Sequence, residues 1–362
     1  MIIRSLKLSN YRNYGDEWFE FLPGTNVLYG DNAQGKTNVI EAVFFCAAGK
    51  SYKSAKDKEI ISFENEESHI ELVCEKEKTT RSIDIHLRKS GKKSIAVDKI
   101  PIRKAVDLFG IVHAVIFSPE DLSIIKGAPA QRRNFMDVEL CQLDSVYTYN
   151  LINYNKVLLQ KNSLLKQLED NPSLGDTLPE WNKKLVEFGR VIIEKRKVFT
   201  DELNENVSFI HKGITGGNEN LKISYTPSVS AEDFEKTVLS MQAREKAAKM
   251  SLYGPHRDDL CFTVNGSNLR SYGSQGQQRS AVLSLKLAEI DFIKKKTGDT
   301  PILLLDDVLS ELDSSRQKKL LAGIAGIQTI ITCTGLEELL DNKFKIDKTF
   351  FINKGHVLEV KI

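Results

Sequence analysis

Three short segments, far apart in the sequence, carry residue types that can act together on phosphate. The first, GDNAQGKT, has the spacing G-x-x-x-x-G-K-[ST]. Glycines in such a loop let backbone N–H groups surround phosphate oxygens, the lysine neutralises their charge and the hydroxyl ligates magnesium. An apolar strand precedes the loop and a helix follows it, so the helix N-terminus faces the phosphates. The segment predicts an ATP site formed by Gly30, Asp31, Asn32, Ala33, Gln34, Gly35, Lys36 and Thr37.

The second segment, Leu303 to Asp307, has the pattern of a buried strand that ends in two carboxylates. After a P-loop, such a strand places one acid near Mg²⁺ and a second near the attacking water. We therefore predict that Thr37 and Asp306 lie in the magnesium shell and that Asp307 is catalytic. Many ATPases of this layout have glutamate at the second position. Because aspartate is shorter, we expect slow hydrolysis.

The third segment, Ser274 to Gln278, opens a strongly helical stretch. A serine hydroxyl and a glycine amide at a helix N-terminus form an anion site, although an ordinary serine cap has the same pattern. The segment precedes the Asp306 strand as the signature does in ATP-binding-cassette (ABC) ATPases, and Ser310 to Asp313 fits their D-loop. Such a signature meets the nucleotide of a second subunit. The motifs thus predict an ATP-dependent homodimer with Ser274, Gln275, Gly276 and Gln277 at the shared site.

The surrounding pattern predicts an α/β fold. Short apolar runs near Asn26–Tyr29 and Pro301–Leu305 are typical of a covered parallel sheet, and residues 68–116 alternate as in an antiparallel layer. Apolar residues at three- and four-residue steps predict long helices at 140–168 and 181–213 that fold back as an arm. Ser224 to Ala248 is predicted to be a polar connector and a further helix.

Length and composition set broad limits. The 362 residues exceed the usual range of a single core, and the net charge of +2 neither requires nor excludes nucleic acid. No signal-peptide pattern and no apolar run of transmembrane length is present, so we expect a cytoplasmic protein. The five scattered cysteines contain no C-x-x-C pair and are expected to be reduced structural thiols.

Beyond the three motifs, the chain resembles the RecF family of bacterial recombinational repair proteins, relatives of the Rad50 and SMC heads. The resemblance covers most of the chain and rests on NYRNY at 10–14, FSPEDL at 117–122, IIKGAPAQRRNFMD at 124–137, GPHRDDL at 254–260 and YGSQGQQRS at 272–280.

This resemblance implies an ABC-type P-loop ATPase head with a mixed or parallel sheet, an antiparallel β layer and an inserted helical-hairpin lobe. Lobe I is expected at 1–120 and 275–362, and lobe II at 121–274. The resemblance also implies a dimer that binds gapped or junction DNA and works with RecR and RecO to load a recombinase. Arg12 and Asn13 either contact the nucleotide from the first hairpin or form an exposed polar turn.

The chain departs from the ABC pattern in two places. Thr332-Cys333-Thr334 stands where many such ATPases have a switch histidine, and a threonine hydroxyl is the candidate substitute. The glutamine expected near Phe117 to Leu122 is missing, which leaves Glu120 or Asp121 as candidate coordinators. His256, in the GPHRDD turn, has no second residue to support catalysis, and an internal Arg–Asp pair is the simpler interpretation of that turn.

Basic residues concentrate between Lys76 and Lys104, where they could bind DNA phosphates without base specificity or keep a hairpin edge solvated. They are Lys76, Lys78, Arg81, Arg88, Lys89, Lys92, Lys93, Lys99, Arg103 and Lys104, with Lys53, Lys56, Lys58, Arg132 and Arg133 as further candidates.

Alternative functions use some of the same motifs. A transporter ATPase usually places its signature much closer to the P-loop, whereas here more than half the chain separates Lys36 from Ser274. An SMC-like structural clamp needs far longer heptad helices. A P-loop kinase or GTPase has no use for SQGQQ, and a structural DNA clamp would keep the fold without nucleotide.

Overall fold

A computed structural model describes residues 1–53, 56–76, 79–337, 339 and 344–361. The chain divides into two compact units. Unit 1 contains Met1–Asp121 and Val282–Ile362, and unit 2 contains Leu122–Ala281. No helix in the described ranges is long and apolar enough to cross a membrane. The functional division into an ATPase lobe and an arm lobe stays a prediction.

The strands and helices are numbered in chain order. The strands are β1 (Ile2–Tyr11), β2 (Tyr14–Glu20), β3 (Thr25–Tyr29), β4 (Glu67–Lys76), β5 (Thr79–Arg88), β6 (Ser94–Val97), β7 (Ile100–Ile102), β8 (Ala114–Phe117), β9 (Leu221–Thr226), β10 (Asp259–Val264), β11 (Ser267–Asn268), β12 (Ile302–Asp306), β13 (Thr329–Cys333), β14 (Lys348–Asn353) and β15 (His356–Lys361). The α-helices are α1 (Lys36–Ala48), α2 (Asp57–Ile60), α3 (Leu122–Lys126), α4 (Pro129–Leu143), α5 (Ser145–Gln167), α6 (Leu178–Thr215), α7 (Phe234–Ser240), α8 (Gln242–Ala248), α9 (Leu269–Tyr272), α10 (Gln275–Thr297) and α11 (Ser314–Gly323).

One sheet of unit 1 is antiparallel and has the strand order β2-β1-β4-β5-β6-β7. Side chains on successive strand positions point to opposite faces, so one face of this sheet is apolar and the other polar. On β4 the buried positions are Ser68, Ile70, Leu72 and Cys74, and on β5 they are Ile83, Ile85 and Leu87. The alternating pattern in the sequence correctly predicted this layer.

The second sheet of unit 1 has the order β15-β14-β3-β13-β12-β8 and is parallel except at its β15 edge. The strands β8, β12 and β13 are buried along their whole length, which explains their continuous apolar sequences. The sequence analysis placed residues 114–116 in the antiparallel layer, but they belong to the strand β8 of the parallel sheet. Their unbroken apolar run fits a strand that is covered on both faces.

Unit 2 is dominated by the antiparallel pair α5 and α6. Asp144 interrupts the predicted helix at 140–168, because its side chain accepts hydrogen bonds from the backbone N–H groups of Val146 and Tyr147 and so begins α5. The helix α6 covers the predicted 181–213 segment in one piece of 38 residues. The strand β9 overlaps the start of the predicted polar connector at Ser224, pairs with β10, and was missed by the sequence analysis.

A buried polar network occupies the middle of unit 2. The guanidinium of Arg196 bonds to Asp137, to Asp258 and to the backbone oxygen of Pro255. Asp258 therefore pairs with a distant helix and not with Arg257, so the predicted internal pair of the GPHRDD turn is wrong. The neighbouring Asp259 takes two hydrogen bonds from Arg132. Since Arg132 is only 2% exposed, it is excluded as a DNA contact.

A second buried ion pair, Lys161 with Glu245, joins α5 to α8 at 2.6 Å, with side-chain exposures of 0% and 1%. Glu245→Ala leaves the lysine charge buried and unpaired, so we expect a loss of about 3–5 kcal/mol in the free energy of unfolding of unit 2. Replacing both residues by methionine should recover most of this loss. Denaturant unfolding followed by circular dichroism measures both effects.

The matched control is Glu169→Ala, which breaks the exposed pair between Glu169 and Lys249. That change should cost less than about 1 kcal/mol because solvent screens the charges. Equal losses for the two single variants would show that burial does not set the energy of the Lys161 pair.

Candidate functional site

The predicted nucleotide residues of unit 1 meet at one edge of the parallel sheet. The strand β13 lies between β3 and β12, with Thr332 opposite both Leu28 and Asp306. The carboxyl ends of these three strands are therefore level. The P-loop follows β3, Asp306 ends β12 with Asp307 directly after it, and Thr332 and Cys333 end β13. This is the edge at which open parallel sheets bind their ligands.

Two glycines give the P-loop its shape. Gly30 has φ +143°, and a Cβ there would lie 2.4 Å from the backbone oxygen of Ile352. Gly35 has φ +117°, and a Cβ there would lie 2.7 Å from Nδ2 of Asn13. Both positions combine a left-handed conformation with a close approach, so only glycine fits. Gly35 is also the N-cap of α1, which turns the helix N-terminus toward the loop.

The side chain of Lys36 lies within the loop. Its Nζ donates to the backbone oxygens of Gly30 and Asp31, each at 2.6 Å. Burial lowers the pKa of Lys36, while the charges of Asp307 and other nearby groups oppose that shift. The ammonium group thus lies among carbonyl oxygens that a bound phosphate can replace, as expected for a phosphate-binding lysine.

Asp306 receives hydrogen bonds from three hydroxyl groups. Thr37 Oγ1 donates to Oδ1 at 2.7 Å, Thr332 Oγ1 donates to the same oxygen at 2.9 Å, and the hydroxyl of Tyr52 donates to Oδ2 at 2.7 Å. The carboxylate is 4% exposed, so these bonds offset the cost of removing its charge from water. Thr37 and Asp306, both predicted to bind magnesium, are thus in direct contact, and their binding of the ion stays a prediction.

Asp307 has an unusual backbone conformation. Its φ is +53°, and its N–H donates to Thr332 Oγ1 at 2.9 Å. The pKa of its carboxyl is raised, first by burial and then by the charge of Asp306, and Lys36 partly opposes this. Asp307 is therefore held beside the P-loop lysine with a carboxylate that is more basic than usual, which suits a general base.

Arg12 and Asn13 lie at the turn between β1 and β2. Asn13 Nδ2 donates to the backbone oxygen of Gln34 at 2.9 Å, which places this side chain against the P-loop. The guanidinium of Arg12 makes two hydrogen bonds to Glu41 of α1 and one to the backbone oxygen of Glu59. The turn is thus a brace between the antiparallel sheet and α1, and contact with a nucleotide stays a prediction for both residues.

The signature segment lies in unit 2, where Ser274 and Gln277 form a reciprocal cap on α10. Ser274 Oγ accepts from the Gln277 N–H, and the Gln277 side chain accepts from the Ser274 N–H. Gln277 Nε2 also donates to Glu219, whose second oxygen contacts the buried His211 of α6. Ser274 and Gln275 are exposed, whereas Gly276 and Gln277 are partly buried.

Asp121, one of the two candidate coordinators, and several of the basic candidates already have hydrogen-bond or ion-pair partners within unit 1. Asp121 caps its own turn by accepting from the Ser118 N–H, and burial raises its pKa to about 6. Partners within unit 1 also bind several predicted DNA contacts: Arg81 pairs with Asp98, Arg88 with Glu67, Lys89 with Glu66 and Lys93 with Asp57. Lys78 lies outside the described residues.

Four of the basic candidates between Lys76 and Lys104 are exposed and form no ion pair with another described residue. They lie at or beside the β6–β7 hairpin, whose turn residues Asp98 and Lys99 both have positive φ, as in a tight two-residue turn. We call Lys92, Lys99, Arg103 and Lys104 the hairpin cations.

Sequence analysis missed two residues of this region. Tyr52 reaches Asp306 from the segment after α1, and Glu41 lies on the buried face of α1. No spacing rule links Tyr52 to a strand 250 residues later. An acid in the middle of an otherwise apolar helix was the signal for Glu41, because a buried carboxylate requires a partner.

These features define an ABC-type P-loop ATPase head: a P-loop after a parallel strand, two acids at the end of another strand of the same sheet, and a serine-capped signature helix. Within that class, residues 2–356 match the family described as RecF/RecN/SMC N terminal domain. The chain belongs to this family and, within it, to the RecF proteins.

Relatives and solved structures agree on this membership. The chain is 53% identical over 357 residues to the DNA replication and repair protein RecF of Lachnoclostridium phytofermentans, covering 99% of both chains. It is 42% identical to RecF of Clostridium kluyveri, covering 99% of this chain and all of that protein. The recombination mediator protein RecF-ATP of the RecFOR pathway has a TM-score of 0.92 at 32% identity, covering 99% and 97%. An Smc head domain from Pyrococcus furiosus shares the fold, with a TM-score of 0.57.

Arg12→Ala distinguishes a brace from a nucleotide contact. Glu41 is fully buried, so losing its cation should lower the free energy of unfolding by about 3 kcal/mol. The affinity of the folded protein for a fluorescent ATP analogue should change less than about threefold, since about 0.6 kcal/mol corresponds to that factor. Denaturant unfolding and fluorescence titration provide the two measurements.

Asn13→Ala is the companion variant, because Asn13 touches the P-loop itself. It should weaken nucleotide binding more than it weakens folding. Normal stability with lost nucleotide affinity in Arg12→Ala would place the guanidinium on the nucleotide instead.

Proposed function

We propose that this protein is an ATP-dependent DNA-binding protein of recombinational repair and replication, acting as a dimer that closes on ATP and opens after slow hydrolysis. The observation that carries the proposal is the convergence of Lys36, Thr37 and Asp306 at one sheet edge, in a chain of the RecF family. The relative solved with ATP supports the nucleotide, and family membership favours this function over that of a transporter subunit.

The residues at the sheet edge also suit Mg²⁺. Thr37 supplies a hydroxyl and Asp306 a carboxylate, the hard oxygen donors that this ion prefers. When bound with ATP, the ion neutralises charge on the phosphate oxygens. The chain's own contributions are the backbone amides and Lys36 for binding, Thr37 and Asp306 for holding the ion, and Asp307 for taking a proton from water.

The proposed dimer follows from the exposed signature. Ser274 Oγ accepts a hydrogen bond from the Gln277 N–H and donates none to a described residue. The hydroxyl proton of Ser274 is therefore available to an anion. It lies at the N-terminus of α10, a helix of 23 residues whose dipole favours negative charge. We place the γ-phosphate of a second subunit there. The helices α5 and α6, 23 and 38 residues long, are too short for an SMC-like coiled-coil clamp.

The DNA partner is proposed to be a gapped or junction duplex, contacted through phosphates by the hairpin cations. RecR, with RecO, is the proposed protein partner, consistent with the RecFOR pathway in which the solved relative acts. A protein that repairs bacterial chromosomal DNA works in the cytoplasm, and we place this chain there.

Dimer formation tests the ATP dependence directly. With ATP the wild type should sediment as a dimer, and with ADP as a monomer. Lys36→Ala should weaken nucleotide binding about 10- to 100-fold, because it removes a charge-assisted contact with phosphate. Ser274→Arg should abolish the dimer while an ATP analogue still binds the monomer. Analytical ultracentrifugation and fluorescence titration measure these properties.

The control for this experiment is Lys166→Ala, which removes an exposed lysine of α5. It should behave as wild type. An equal proportion of dimer with ATP, with ADP and in Lys36→Ala would rule out ATP-dependent dimer formation and favour a purely structural clamp.

Charge reversal of the hairpin cations tests the DNA surface. Lys92→Glu, Lys99→Glu and Arg103→Glu together should weaken binding to a gapped duplex. They should also flatten the plot of log affinity against log salt, because each lost phosphate contact removes about 0.9 from the slope. Fluorescence anisotropy across a salt series gives both quantities.

A triple reversal at Lys166, Lys183 and Lys212 makes the same change in net charge at exposed positions of unit 2. It controls for long-range electrostatics. If the two triple variants lose affinity equally, net charge explains the effect and the hairpin is not the DNA surface.

A further inference from the structure

The two carboxylate oxygens of Asp306 have different surroundings. Oδ1 accepts from both Thr37 and Thr332, whereas Oδ2 accepts from Tyr52. An ionised carboxylate oxygen can accept about two hydrogen bonds. Oδ1 is therefore saturated, and Oδ2 is the oxygen that keeps a lone pair for a cation or its water. The Tyr52 hydroxyl is the group in direct contact with that oxygen.

The tyrosine is held in place by the helix that carries the P-loop. Its ring meets Phe44 edge to face, with centroids 5.7 Å apart. The preceding Ser51 is buried and donates to Glu41, and Ser51 Oγ also accepts from the Lys53 N–H. Two of these contacts fix the ring and its backbone relative to α1, and the third holds the turn of the segment itself. The hydroxyl meets Asp306 from a fixed direction and does not sample many rotamers.

The hydroxyl itself acts as a neutral donor. A phenol carries its proton near neutral pH, so the hydroxyl can donate to the carboxylate 2.7 Å away. Packing alone does not require this group, since phenylalanine would fill the same space against Phe44. What the hydroxyl adds is a fixed hydrogen bond on Oδ2. Groups that orient a metal-binding carboxylate in this way act on metal affinity without touching the metal.

We propose that Tyr52 is a positioning residue for the magnesium site, orienting Oδ2 of Asp306 toward the ion that accompanies ATP. This inference rests on the proposed function, because it assumes that Asp306 binds Mg²⁺ together with nucleotide. The residue acts through Asp306 and is not itself a ligand. It forms a functional contact between the segment after α1 and the end of β12.

Tyr52→Phe removes the hydroxyl and keeps the ring. The Mg²⁺ concentration that half-saturates binding of a fluorescent ATP analogue should rise about tenfold, the lower end of the range for groups that orient metal ligands. Affinity for the analogue in excess chelator should stay within twofold of wild type, and the thermal midpoint should stay close to it. A purely structural role would lower stability and chelator-insensitive binding together. The matched control is Tyr149→Phe, which also packs edge to face on a phenylalanine, Phe188.

Asp306→Asn separates this inference from the proposed function. If Asp306→Asn weakens Mg²⁺ binding and Tyr52→Phe weakens it to a smaller degree, the inference and the proposed function both stand. If Asp306→Asn weakens Mg²⁺ binding while Tyr52→Phe leaves it unchanged or tightens it, Tyr52 does not position the site and the inference alone fails. If Asp306→Asn has no effect on the Mg²⁺ titration, the assigned metal site is wrong and both proposals fall.

Discussion

The buried carboxylate of Asp306 ties together three segments that are remote in sequence. It accepts hydrogen bonds from the start of α1, from the end of β13 and from the segment after α1. Burying a carboxylate until it is 4% exposed costs free energy unless such donors surround it. These hydrogen bonds therefore hold the N-terminus of α1, the helix after the P-loop, against the ends of β12 and β13. The sheet register brings these groups level, and the hydroxyls fix them within hydrogen-bond distance.

A second buried carboxylate, Glu41, secures the other side of α1. It binds Arg12 of the β1–β2 turn and Ser51 of the following segment. The P-loop helix is thus fixed at its N-terminus by Asp306 and one turn later by Glu41. Each bond crosses between secondary-structure elements, so neither acid can relax without moving a neighbour. Asp306 accepts from Tyr52 itself and Glu41 accepts from the adjacent Ser51, so both acids help to hold the tyrosine hydroxyl in place.

The extent to which the sequence predicts this arrangement depends on distance along the chain. The P-loop and the paired acids follow local rules, because glycine, lysine and strand-end carboxylates have fixed spacing. The contact between Tyr52 and Asp306 joins residues 254 positions apart, and one sequence carries no pattern for it. Similarly, the pairing of Asp258 with Arg196 could not be read from a turn that already contains Arg257. The strand β9 was missed because its short alternation lies within a polar stretch, where the partner β10 and not propensity decides the conformation.

The geometry of Asp307 bears on how long the proposed closed dimer lasts. Burial and Asp306 make its carboxyl more basic, which favours proton abstraction, but its side chain is one methylene shorter than the usual glutamate. A general base must come within hydrogen-bond distance, about 3 Å between heavy atoms, of the group whose proton it takes. The backbone cannot supply the missing reach, because the left-handed conformation of Asp307 is fixed by Thr332, whose hydroxyl also binds Asp306. A shift of the Asp307 backbone toward the nucleotide would break its hydrogen bond to Thr332 and so disturb the bond from Thr332 to Asp306. We therefore expect reach to limit hydrolysis more than basicity promotes it, in keeping with the proposed clamp that holds its ligand for longer than a motor would.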